Sequence, residues 1–214
     1  MILHLNHIFE LLCLLVSLVL YYKHKSSFLI VWCIYLTTLL SAELICLYFF
    51  EKGNSAFYNI INILIVSFSC YIITQIIYNK KILMLIKFLT LFYFVMLVAI
   101  NIYDNSFFKT NILLFQLSFD LQLIYGLLFF YYLLITDDKT PKPTDSFGKW
   151  FATGLIIFNV GVSITFSLID YIRNNKIYLF NLPLYRTIPK LFCVILYTCY
   201  IVALTKWKQP TTKS

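Results

Sequence analysis

Two carboxylates, Glu43 and Asp120, stand inside long apolar runs of this 214-residue chain. A carboxylate at membrane depth must find a donor, a cation or water, or else stay protonated. Such groups are rare in transmembrane segments and commonly mark ion, proton or ligand sites. Two of them can also act as acid and base. Polar residues at similar depth that can serve them are Asn62, Gln116 and Asn101, with Arg186 able to fold inward from a connection. Asn59 and Asn62 are three apart, and Gln116 and Asp120 four apart, so each pair shares one helix face. We expect Glu43 and Asp120 to face the bundle interior and to line one cavity together with Asn62, Gln116, Asn101 and Arg186.

A second group, His4, His7 and Glu10, recurs every three residues near the chain start. Three ligands drifting round one helix end make a poor cage for an ion, and the chain is expected to hold no metal. The six cysteines all lie within apolar spans. They form no Cys-x-x-Cys pair and no zinc spacing, and they read as small buried apolar residues. There is no phosphate-binding Gly loop, no Gly-x-Ser-x-Gly and no His-Glu-x-x-His, so no organic cofactor is expected either.

The elements that position these residues follow from composition. The chain is 61% hydrophobic and 12% charged, about half the charge of a soluble domain. About 20 apolar residues cross a bilayer as a helix. Seven spans meet that length, near 6–22, 27–50, 56–78, 82–103, 111–135, 151–172 and 187–205. Tyr and Trp flank their ends, as interfacial belts do. The reading is all-α, one seven-helix transmembrane domain over 1–214 with no soluble domain. Met1 to Tyr22 lacks the leading positive charge of a cleavable signal, so this run reads as a retained helix. Pro183 and Pro189 leave the start of the last span open by several residues.

The net charge of +8 does not point to nucleic acid, because the basic residues lie between spans and not on one face. They point to orientation instead. Alternate connections carry eleven Lys and Arg on one side and six on the other. The positive-inside bias then predicts the N-terminus outside and the C-terminus inside. On that orientation the outer half is rich in polar groups and the inner half holds few. Gly154, Gly161 and Thr165 form a small-residue seam on the sixth helix, which lets a neighbouring helix approach closely.

Three short segments carry a resemblance. They are Ser41-Ala42-Glu43-Leu44 late in the second span, Asn54-Ser55-Ala56-Phe57-Tyr58-Asn59 opening the third, and Trp150-Phe151-Ala152-Thr153-Gly154-Leu155 opening the sixth. With these the chain resembles a family of uncharacterised seven-helix inner-membrane proteins of Bacteroidota, often encoded near two-component sensors. It departs from that pattern at Lys149, where the family has an aromatic residue. The resemblance implies a multi-pass protein of the inner (plasma) membrane tied to envelope sensing, and it puts weight on Glu43 and the Trp150 segment.

Three functions fit. The first is a receptor-like or regulatory module that reads an outward-facing polar cavity and signals through a separate membrane or cytoplasmic partner. The second is a small transporter or channel using Glu43 and Asp120 as proton or cation sites. The third is an intramembrane enzyme acting on lipid, which needs two carboxylates to meet near a lipid-accessible opening.

Overall fold

The computed structural model describes residues 5–49, 55–104, 112–136, 144–179 and 182–207. His4, Asn54, residues 137–143 of the connection before α6 and the tail from 208 lie outside the described residues. Eight helices and one small hairpin are present among the described residues: α1 (Leu5–His24), α2 (Ser27–Phe49), α3 (Ser55–Ile76), α4 (Lys80–Asp104), α5 (Ile112–Ile135), α6 (Asp145–Ser167), α7 (Ile169–Asn174), β1 (Tyr178–Leu179), β2 (Leu182–Pro183) and α8 (Leu184–Lys206). All but α7 are long and apolar enough to cross a membrane, by length and composition.

The helix ends follow local chemistry. Lys25 takes the left-handed conformation (φ 49°), and its N–H closes on the Tyr21 carbonyl at 2.7 Å, so α1 turns into α2 within two residues. Asn79 caps α4, its Oδ1 accepting from the N–H groups of Lys81 (3.0 Å) and Ile82 (3.3 Å). The expected sixth span divides. Helix α6 stops at Ser167, and α7 and the antiparallel β1–β2 hairpin fill the way to α8. Helix α8 begins at Leu184, three residues before the expected start. Pro189 is only its sixth residue, where a missing N–H costs little of the ladder.

The burial pattern inverts that of a soluble bundle. Helix α4 exposes Met84, Phe88, Leu91, Val95 and Ile102, while Asn6, Glu10, Asn62, Ser118, Gln122 and Asn159 are buried. Apolar groups face outward because lipid is as apolar as the core, and polar groups turn inward to find partners. The helices pack in the order α2–α1–α8–α6–α5, with α3 and α4 against α5; α2 and α3 meet only lightly. The small-residue seam is where α6 meets α8. A Cβ on Gly154 would stand 2.8 Å from Cβ of Cys199, and one on Gly161 would collide with the Phe192 ring.

The two ends of the bundle differ. Toward the α1–α2 turn the interior is aromatic. Trp32 meets Phe68 and Tyr200 edge-on at 4.9 and 5.0 Å between ring centroids, Phe151 stacks on Tyr200 at 5.2 Å, and Trp207 stacks on Phe28. Glu10, Glu43 and Asp120 lie toward the other end, while Asp145, half-buried at the start of α6, lies at this one.

Candidate functional site

Glu43 is the meeting point of three helices. It lies six residues from the end of α2. Glu10 lies five residues from the start of α1, and Lys190 six from the start of α8. At 1.5 Å rise per residue all three sit about 8–9 Å from the same end of the bundle. His7 Nδ1 is 2.7 Å from Glu43 Oε2, and Asn6 Nδ2 donates to the same oxygen at 3.3 Å. His7, Glu10 and Glu43 each offer a ligand atom, and the three atoms lie within 4.8 Å of one another. Helical spacing accounts for the grouping. His7 and Glu10 are three apart on the buried face of α1, and Arg186, Lys190, Cys193 and Tyr197 follow one face of α8.

Glu10 is wholly buried, and neither of its oxygens has a partner in good hydrogen-bond geometry, although the Tyr197 hydroxyl approaches it. Asn6 Oδ1 is likewise buried and without a partner. Lys190 stands within electrostatic reach of Glu43, with Arg186 further along the same face.

Asp120 belongs elsewhere. It accepts from Gln116 Nε2, one turn earlier on α5, at 3.1 Å and from Ser163 of α6 at 3.5 Å. Its partners are on α5 and α6, those of Glu43 on α1, and the α6–α8 seam lies between α5 and α1 in the packing order. The single cavity expected from the sequence therefore gives way to two separate places. Asn62 serves neither carboxylate: it donates to Tyr93 of α4 at 3.3 Å and accepts from Ser118 of α5 at 2.7 Å. Asn101 turns back on its own helix and donates to the Leu97 carbonyl at 2.8 Å. Arg186 stays exposed beside the Tyr185 ring and does not fold inward.

Below Asn62 a further polar line joins α3, α4 and α5. Ser69 donates to Gln122 at 3.2 Å, and Thr90 and Tyr125 share a hydrogen bond at 2.5 Å. Further along the same helices, Ile72 and Ile76 of α3 and Phe129 of α5 are buried and apolar. Where α2 and α3 meet lightly, a cavity of about 280 Å³ is lined by Ile34, Tyr35, Leu39, Leu64 and Phe68 among others. Tyr35, stacked on Phe68, is one wall of it and also lies within electrostatic reach of Glu10 and Glu43.

The residues that sequence reasoning missed as partners of Glu43 are His7, Glu10 and Lys190. Their common depth from one end was a usable signal. Their common azimuth was not, because it depends on how three helices rotate against one another.

Comparison with family models, with curated proteins and with solved structures gives no match. Fold and composition together define a multi-pass α-helical membrane protein.

Proposed function

We propose that this chain is a receptor-like or regulatory membrane module whose working site is the His7–Glu10–Glu43 cluster, and that it acts through a separate partner. The observation that carries this reading is the asymmetry of the bundle. Charged groups from three helices converge near one end, whereas the interior toward the α1–α2 turn is packed with aromatic rings. A ligand bound where α1, α2 and α8 meet can shift those helices against one another, and their other ends present that shift to a partner. The Lys and Arg bias supports an orientation with the N-terminus outside and the cluster at the outer face, and the resemblance implies an inner (plasma) membrane. A reporter fused at Pro141 is expected to read as cytoplasmic; an extracytoplasmic reading overturns the orientation.

The competing transporter reading requires a polar path through both halves. The polar line of Asn62, Ser118, Gln122 and Tyr125 is followed along α3 and α5 by buried apolar residues, Ile72, Ile76 and Phe129. Reconstituted in vesicles, the protein is expected to carry no proton or monovalent-cation flux above that of empty vesicles. A flux that disappears in Glu43→Gln overturns the receptor reading.

One observation favours a second reading, an intramembrane enzyme acting on lipid. The α2–α3 cavity is apolar and large enough for part of an acyl chain, and Tyr35 connects its wall to the acids. Release of fatty acid or headgroup from phospholipid vesicles, lost in Glu10→Gln, decides for it.

A further inference from the structure

We infer that His7, Glu10 and Glu43 form a binding site for a divalent first-row transition metal of the zinc type. This rests on the reading that the cluster is the working site, and it names what occupies it.

Three features carry it. The first is the donor set. One imidazole and two carboxylates from two helices converge with ligand atoms within 4.8 Å. Mixed nitrogen and oxygen donors suit zinc, iron, cobalt or nickel; an imidazole is a poor ligand for magnesium or calcium, and the absence of a thiolate from the trio disfavours copper(I). The second is Glu10. It is 0% exposed, and neither of its oxygens has a partner in good hydrogen-bond geometry beyond the approach of the Tyr197 hydroxyl. A wholly buried carboxyl left in that state is costly, and a bound cation removes the cost. The third is charge. Glu10 and Glu43 together bring two negative charges where Lys190 brings one positive. The remaining positive charge comes from a proton, on His7 or on a carboxyl, or from a metal.

The geometry needs a small adjustment. His7 Nδ1 and Glu43 Oε2 now sit 2.7 Å apart, a separation that suits a shared proton. Ligands on a tetrahedral zinc, with bonds of about 2.1 Å, stand about 3.4 Å apart. Exchange of the proton for a metal opens that pair slightly and draws Glu10 in. Three protein ligands leave a fourth position open for water or for a ligand, the arrangement of catalytic and ligand-binding zinc sites. Asn6 Oδ1 supplies a buried acceptor beside His7 that lacks a donor, and a metal-bound water offers one.

The test uses the full chain in detergent, stripped with chelator and titrated with Co²⁺ as the probe. One equivalent per chain is expected to produce the visible absorption of low-coordinate cobalt, and Zn²⁺ is expected to displace it. Zn²⁺ should raise the melting temperature of the wild type and leave that of Glu10→Gln unchanged. Glu10→Gln and His7→Gln should weaken Co²⁺ binding by about a hundredfold, whereas Asp120→Asn should leave it unchanged. Glu10→Gln imitates a protonated carboxyl, so its folding is preserved whichever state the native group holds. Folded wild type without cobalt absorption overturns the metal site, as does unaltered affinity in Glu10→Gln. Each of those results assigns Glu10 a proton in place of a metal. Neither touches the receptor reading, which stands or falls on the flux measurement. Equal binding of Mg²⁺ also overturns the assignment, since it shows a site without use for the imidazole.

Discussion

Glu43 and Asp120 are the same functional group at nearly the same distance from the same end of the bundle, and the fold treats them differently. Asp120 is served by Gln116 of its own helix and by one serine of α6. Glu43 is served by Asn6 and His7 of α1, with a second acid and a lysine on α8 close by. An i, i+4 amide can satisfy a carboxylate in an isolated helix, so the Gln116–Asp120 pair says little about tertiary design. A site assembled from three helices exists only when all three are docked, and its wholly buried Glu10, approached only loosely by the Tyr197 hydroxyl, is hard to explain by packing alone. Depth identifies polar residues that need partners; convergence from several elements identifies those with a role.

Five substitutions, one of them only in combination, break or sharpen that contrast, each read by reversible unfolding in detergent. The largest effect is expected at the α6–α8 seam. Gly161→Leu drives a side chain into the Phe192 ring and should cost about 3 kcal/mol or more. Little change there would mean that α6 and α8 do not meet as described. Next comes Glu43→Ala. It strips His7, Asn6 and Lys190 of their shared anion, and a loss of about 1–3 kcal/mol is expected, moderated by the partial exposure of the pair. Combined with His7→Ala, the two losses should fall short of additive, because each removes the same interaction. Glu10→Leu should have the opposite sign. It replaces a buried carboxyl whose oxygens have no partner in good hydrogen-bond geometry, and the metal-free protein should gain about 1–2 kcal/mol while Co²⁺ binding is abolished. A destabilised Glu10→Leu would return that residue to a structural role. The smallest effect belongs to Asp120→Asn, at about 0.6 kcal/mol or less, the usual worth of a hydrogen bond between membrane helices. If it matches Glu43→Ala, the distinction between the two regions fails.

Much of the fold was legible without coordinates because it follows from one-dimensional quantities. Span length, hydropathy and interfacial aromatics located seven crossing helices. The small residues Gly154 and Gly161 foretold a close helix contact on α6, though not that α8 would make it, since close approach of two backbones leaves no room for a Cβ. Spacing four apart was enough to join Gln116 to Asp120. The short α7 and the β1–β2 hairpin were not foreseen: 168–183 mixes apolar and polar residues without a helical or alternating period.

The candidate site was legible only in part, for a definite reason. The sequence alone determines how deep each polar residue lies and which residues of one helix share a face, since both depend on rise and period. Glu10, Glu43 and Lys190 could thus be put at one level. Which faces meet depends on the rotation and neighbour order of whole helices, and those are set by the packing of many apolar side chains at once. Tertiary structure alone decided that α1 and α8 close on Glu43, that Asn62 turns to Ser118 and Tyr93, and that Asp120 takes its partners from α5 and α6. In a bundle whose helices are apolar nearly all round, no single helix carries enough asymmetry to declare its partners in advance.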